Sequence, residues 1–424
     1  MQSTLSVTDA REAQQAIAQL LGDGRTAEIV GRASCRSYGR PLQTDTILDL
    51  SALEGITVYE PGELVLTARP ATPLSHIRSA LAAQRQQLAF EPPDFARLWA
   101  EAPGRGTLGG CLCVGLGGPR RPSAGAPRDH FLGVKGINGF AQTFAAGGRV
   151  VKNVTGFDLP KLLAGSLGTL AVMTELTVKV MPAPPCTKTL LLHGLDDAQA
   201  VASLGDALSS PSAVSGAAHF PAAITGTLPA LQALSGAVTA LRLEGLERSV
   251  NARLEQLTQR LAHPGGQRSG SRGAQGEGSG SECTILDEVC SQRLWADVAD
   301  VAAFAGPSER SVWRVSTRAC TAVGIARAVR QTLDCRYFFD WGGALLWIEL
   351  PAEPLAHQGL IREICTRLGG ADAHATLVRA PEPVRARAAP LPPLSGALAA
   401  LTERVKLQFD PQRLFNRGRM YAGL

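Results

Sequence analysis

The chain has 424 residues, 45% of them hydrophobic and 19% charged, with a net charge of +5. That balance excludes global disorder and leaves room for more than one domain with a large core. The excess base is scattered and aromatic residues make up only 5%, so nucleic acid is not an expected partner.

The first residues, "MQSTLSVTDAREAQQ", lack the basic and apolar regions of a secretory signal. No window reaches the ~18 apolar residues of a spanning helix. A cytoplasmic location is expected, with no membrane span. The nine cysteines are an odd number without a C-x-x-C pair, which fits reduced thiols. No two of the seven histidines fall at ligand spacing, so no metal is expected.

Asp9 and Glu12 have capping-box spacing ahead of a helix whose apolar face is Ala13, Ile17, Ala18 and Leu21. "TAEIV" reads as a strand that breaks into the small-residue loop "GRASCRSYGRP". "TILDLSAL" and "GITVYEPGELVLTAR" give three strands, the last two joined at Pro61-Gly62. Thr72 is placed as the cap of a helix starting at Pro73, with Leu74, Ile77, Leu81 and Ala82 buried. Residues 102–130 carry too much glycine and proline for a long element. A meander follows, with a hairpin at Asn138-Gly139 and a turn at Gly147-Gly148.

After the prolines at 182, 184 and 185 the pattern changes. "TKTLLLHG", "DDAQAVASLGDAL", "AVSGAAHF", "GAVTALRLEG" and "LERSVNARLEQLTQRLA" read strand, helix, strand, strand, helix. Residues 263–281 are low-complexity, a flexible insertion. The pattern recurs over "SVWRVSTRA", "AVGIARAVRQTL", "RYFFDW", "ALLWIEL", "HQGLIREICTRL" and "AHATLVRA". This β-α-β-β-α-β order predicts an antiparallel sheet with helices on one face. A helix and an ordered tail end the chain.

Three separated segments, 31–40, 104–130 and 148–172, combine glycine, small hydroxyls and occasional bases. Bare backbone amides of this kind hold phosphate oxygens. Three such segments suggest one long ligand, and a dinucleotide has that shape. No G-x-G-x-x-G opens a helix after the first strand, so a Rossmann site is not expected.

The stretches "YEPGELVLTARPATPL", "FEPPDF", "GTLGG", "GLGGPRRPSAGAPRDHFLGVKGINGFAQ", "GGRVVKNVTGFDLPKLLAGSLGTLAV" and "FDPQRLFNRGRMY" carry a resemblance. The chain resembles the FAD-binding subunits of bacterial glycolate oxidases, in the vanillyl-alcohol oxidase / p-cresol methylhydroxylase (PCMH) superfamily. The resemblance is dense over 25–182 and the last 16 residues. It implies an α+β fold: a PCMH-type FAD-binding domain of two α+β subdomains over 1–183, and a cap over 184–390 of ferredoxin-like βαββαβ order. A helix and tail over 391–424 would return to the FAD domain.

By the same resemblance, Gly31, Arg32, Ala33, Ser34, Cys35 and Arg36 would hold the FAD pyrophosphate. Thr107, Leu108, Gly109 and Gly110, with the loop from Gly115 to Gly118, would line the flavin. Arg128 and Asp129 would approach it, and Lys152 and Asn153 would touch the cofactor. Gly165, Ser166, Gly168, Thr169 and Val172 would pass bare backbone along the dinucleotide, and Asn416 would join from the tail. "GRASCR" carries side chains where relatives have consecutive glycines.

Other residues have two readings. Cys111 and Cys113 are a flavin-linked thiol or inert packing. His130 is a base or tether, or a plain loop histidine. Arg120-Arg121 bind an anion or face solvent. Trp341, Trp347, Phe338 and Phe339 shield a flavin or fill the core, and Tyr421 packs.

The expected function is the FAD-binding subunit of a complex that oxidises a small 2-hydroxy acid, glycolate to glyoxylate. The implied partners are a second flavin subunit and an iron–sulfur subunit, since this chain has no ferredoxin cysteine run. Peripheral attachment to the inner membrane would come through that complex. A stand-alone FAD-dependent D-2-hydroxy acid (D-lactate) dehydrogenase, with His374 as candidate base, and a flavin-free structural subunit stay open.

Overall fold

The computed structural model describes residues 2–149, 156–261 and 282–424. The insertion expected at 263–281 lies outside them.

Three parallel strands, Ser3–Ser6, Thr46–Asp49 and Ala27–Val30, form the first sheet in the order Ser3, Thr46, Ala27. Helix Ala10–Asp23 covers it. Its N-cap is Asp9, whose carboxylate accepts from the Glu12 amide at 2.8 Å, while Glu12 reaches back to the Thr8 amide. The buried stripe is Ala13, Ala16, Ile17 and Leu20. Ala18 faces solvent and Leu21 is half-buried, because a 100° step per residue turns them off the face that begins at Ala13.

The second sheet is antiparallel, in the order Ile56–Glu60, Val65–Ala68, Val172–Lys179, Phe131–Ile137, Thr143–Gly147. Helix Leu74–Ala82 packs on it through Leu74, Ile77 and Leu81, with Ala82 outside the buried set. Thr72 does not cap this helix. Its hydroxyl donates to the Arg69 carbonyl at 2.7 Å and accepts from the Gly55 amide at 2.9 Å, and Pro73 holds the N-cap position.

The expected two-residue hairpin at Asn138-Gly139 is a longer loop. The Asn138 side chain accepts from the amides of Phe140 and Gln142, and the positive φ falls at Ala141 (57°). Gly139 has another purpose: a Cβ there would stand 2.5 Å from Asp410 Oδ1.

Eight antiparallel strands make the third sheet, and it has an internal symmetry. Cys186–His193, Gly216–Phe220, Val238–Gly245 and Cys283–Leu286 are strands one to four of one unit, arranged 4-1-3-2. Ser311–Ser316, Arg336–Asp340, Leu345–Leu350 and His374–Arg379 continue it as 2-3-1-4. The two βαββαβ units therefore meet strand two to strand two, across the pair His219 and Phe339. Helices Asp197–Leu208, Glu247–Leu261, Ala319–Thr332 and Gln358–Gly369 cover one face. The other face is not open. It packs on helix Glu288–Ala299 and on Tyr38, Phe95, Leu98 and Leu167 from the N-terminal half.

The last helix, Gly396–Phe409, buries only Lys406. Its ammonium holds the Asp410 carboxylate at 2.7 Å and the Phe415 carbonyl at 3.1 Å. Asp410 in turn accepts from the amides of Leu414 and Phe415. This knot lays the tail beside the strand Ala27–Val30, with Ala27 paired in parallel to Phe415.

Candidate functional site

A cleft opens where the first two sheets meet. It is open to solvent on one side, and its cavity volume is about 110 Å³. One wall is the strand end Glu28–Val30 and the loop Gly31–Arg36. The opposite wall is Pro70, Ala71, Thr107, Gly109 and Gly110, with Leu167, Gly168, Ala171, Met173, Asn416 and Arg419 closing it.

The loop presents main chain rather than side chains. Among the described residues, the amides of Gly31, Arg32, Ala33, Ser34 and Cys35 make no hydrogen bond. Ala33 takes φ +59°, a left-handed conformation that costs an alanine about 1–2 kcal/mol. Successive amides bent this way form an anion-binding concavity. Across the cleft, Thr107 caps the short helix Leu108–Val114 by accepting from the Gly110 amide at 3.1 Å. Gly109 has to be bare, since its Cβ would meet both Pro70 Cβ and the Pro70 carbonyl at 2.8 Å.

The charges partly cancel. Glu28, a buried carboxylate in the wall, holds the Arg36 guanidinium in a forked pair and lies 3.7 Å from Arg419. Arg419 also donates to the Cys35 carbonyl at 2.6 Å, and burial pushes its pKa down to about 10. Arg32 reaches Glu54 at 3.7 Å on the surface. Two guanidiniums against one carboxylate leave the wall with a net positive charge.

Glycolate oxidase subunit GlcE of Escherichia coli (strain K12) is 33% identical over 408 residues, covering 96% of this chain and 95% of that protein. The chain belongs to the glycolate oxidase subunit GlcE family. A 102-residue stretch, 24% of this chain and 21% of the relative, is 36% identical to glycolate oxidase subunit GlcD of Bacillus subtilis (strain 168). No protein-family model matches the sequence. Among solved structures, p-cresol methylhydroxylase with substrate bound aligns with a TM-score of 0.70 at 12% identity, over 99% of this chain and 88% of that one. The α+β class and the PCMH-type architecture are thus those of this molecule.

Within this GlcE-family fold, the cleft gathers Gly31, Arg32, Ala33, Ser34, Cys35, Arg36, Thr107, Gly109, Gly110, Gly168 and Asn416 of the residues singled out from sequence. The others lie elsewhere. Leu108 is buried in the core of the second sheet. Gly115 backs onto Gly165, and Gly118 onto Glu91, each too close for a Cβ. Arg128 and Asp129 are exposed, and Asp129 accepts from the Ala126 amide to cap its own turn. Gly165, Ser166 and Thr169 open onto a separate groove beside Leu398, Leu401 and Tyr421. Val172 pairs with Ile137 and points into the core, while its neighbours Ala171 and Met173 face the cleft. Lys152 and Asn153 lie outside the described residues. Asn416 serves as a clamp: it accepts from the Ile29 amide at 2.8 Å and donates to the Leu167 carbonyl at 2.7 Å.

Several of the residues with two readings are packed or paired within the fold. Burial raises the thiols of Cys35, Cys111 and Cys113, the last to about 12, so none is a ready nucleophile. His130 is buried against Phe90 and bonds the Ala124 carbonyl at 2.8 Å. Arg120 is saturated by Glu244 and Gln87. Phe338, Phe339 and Trp347 are core residues. Sequence reasoning missed Glu28 and Arg419. The run "FNRGRM" held the signal for Arg419, a base in a tail that returns to the first loop.

Proposed function

We propose that the chain is the FAD-binding subunit of a glycolate oxidase complex that oxidises glycolate to glyoxylate. The observation carrying this reading is the row of free amides from Gly31 to Cys35 facing Thr107, Gly109 and Gly110 across one cleft. These groups fit a diphosphate: bent amides donate to its oxygens, Arg36 and Arg419 offset its charge, and the bare glycines admit its backbone. Flavin would supply acceptance of a hydride, chemistry that belongs to the cofactor. The chain's own residues would bind it, orient it and keep water away. The working division is 1–183 for cofactor binding, 184–390 as cap and 391–424 as returning tail.

A second flavin subunit and an iron–sulfur subunit are the proposed partners, with peripheral membrane attachment through them. Among the described residues no helix is long and apolar enough to cross a membrane. A flavin-free structural subunit is the second reading. It is favoured by the aromatic seam, where Phe95 meets Trp347 of the large sheet edge-on at 6.0 Å and Tyr38 and Trp341 belong to the same apolar cluster. The stand-alone dehydrogenase is weaker, because His374, its candidate base, is exposed at the start of its strand.

The test is the visible spectrum of the purified chain before and after incubation with FAD, alone and co-expressed with its partner subunits. Bound flavin absorbance that disappears in a Gly109→Val variant is the expected result. A folded chain that takes up no FAD in either setting leaves the structural reading.

A further inference from the structure

We propose that Arg121, Arg314 and Trp341 form a binding site for a small oxyanion, the carboxylate of an organic acid or a phosphate. The inference goes beyond the cofactor reading and does not depend on it. The guanidinium carbons of Arg121 and Arg314 lie 4.7 and 4.9 Å from the centre of the same indole ring. Among the described residues neither side chain has a hydrogen bond or an ion pair. Other arginines along the same seam are saturated: Arg120 by Glu244, Arg242 by Glu91, Arg379 by Glu349. Two cations sharing one ring without an ion-paired carboxylate repel each other, and a bound anion relieves that repulsion.

The surroundings fit. Trp341 is held in place by its amide on Asp340 Oδ1 at 2.7 Å and its indole N–H on the Gly118 carbonyl at 3.0 Å. It adopts φ +54°, an outlier for a bulky residue and a mark of imposed geometry. Asp340 forms no ion pair with either arginine, and burial pushes its carboxyl up to about 7, which weakens it as a counter-charge. The hydroxyl of buried Tyr38, close enough to Arg314 to feel its charge, also lacks a hydrogen-bond partner among the described residues. Arg121 is exposed and Arg314 half-buried, so an anion reaches them from solvent. One ring and two forks suit a single carboxylate or phosphate.

The experiment is calorimetric titration of the full chain at constant ionic strength with glycolate, D-lactate, inorganic phosphate and chloride. Saturable binding of the organic acids or of phosphate, with none for chloride, is expected, and the responding arm names the source. Arg314→Met and Arg121→Met should each weaken it at least tenfold, and Arg327→Met, on a helix away from the site, should leave it unchanged. Should Arg314→Met fail to fold, the exposed Arg121→Met decides. Equal responses to all four salts, or binding within twofold of the parent in a folded variant, overturns the proposal. FAD absorbance recorded on the same samples separates the two readings: flavin without anion binding removes this site alone, and anion binding by a flavin-free chain supports this site alone.

Discussion

Ala33 concentrates the strain of the cleft. Its left-handed backbone would suit glycine, so Ala33→Gly should raise stability by about 1 kcal/mol and tighten FAD binding, read by thermal denaturation and flavin titration. The thiols make a second test. Iodoacetamide at pH 8 should label exposed Cys320 while Cys35, Cys111 and Cys113 stay unmodified, as peptide mass spectrometry would record. A third concerns Asp340. Its folded pKa of about 7 lies above the 3.8 of the free carboxyl. Between those values the folded chain holds a proton that the unfolded chain releases, so stability falls as pH rises through the window. Asp340→Asn, which keeps an acceptor for the Trp341 amide, should flatten that slope and exceed the parent at pH 8 in urea unfolding. Single residues were the least legible scale in the sequence. Composition exposed the bare loops, but whether Ser166 or Gly168 faces the cleft is decided by a turn with φ +69° at Gly168, which no spacing rule encodes.

Among elements, alternation explains both success and failure. "LAVMTELTVKV" was readable as a strand because period two is written in it, yet the same period puts Ala171 and Met173, not Val172, on the cleft. The strand Cys283–Leu286 and helix Glu288–Ala299 escaped notice beside the low-complexity insertion. The strand is four residues long and makes a fourth member only because Cys186–His193 offers it an edge. The seam between the large sheet and the N-terminal half rests on buried charge: Arg242 on Glu91 at 2.7 Å, Arg120 on Glu244 at 2.6 Å, with Arg242 stacked 4.7 Å from the Trp295 ring. Arg242→Met removes the close guanidinium partner of Glu91, which keeps Arg120 at 3.5 Å, and should cost about 3 kcal/mol, measured as a lower denaturation midpoint.

For the whole molecule, the class and the two halves of the large sheet were legible, because turn residues bracket each strand and helix. Their symmetry was not, since hydrogen-bonded order between strands far apart in sequence leaves no periodic trace. The tail was seen as returning, but its route was not. That route sets an order of events. Ala27 lies against Phe415, and Asn416 and Arg419 supply part of the cleft wall. The cleft is therefore incomplete until Phe415, Asn416 and Arg419 have docked beside the first loop. Removing residues 415–424 should strip the edge strand Ala27–Val30 of its partner Phe415 and of the Asn416 clamp, and weaken the hold on FAD, read as a lower flavin content.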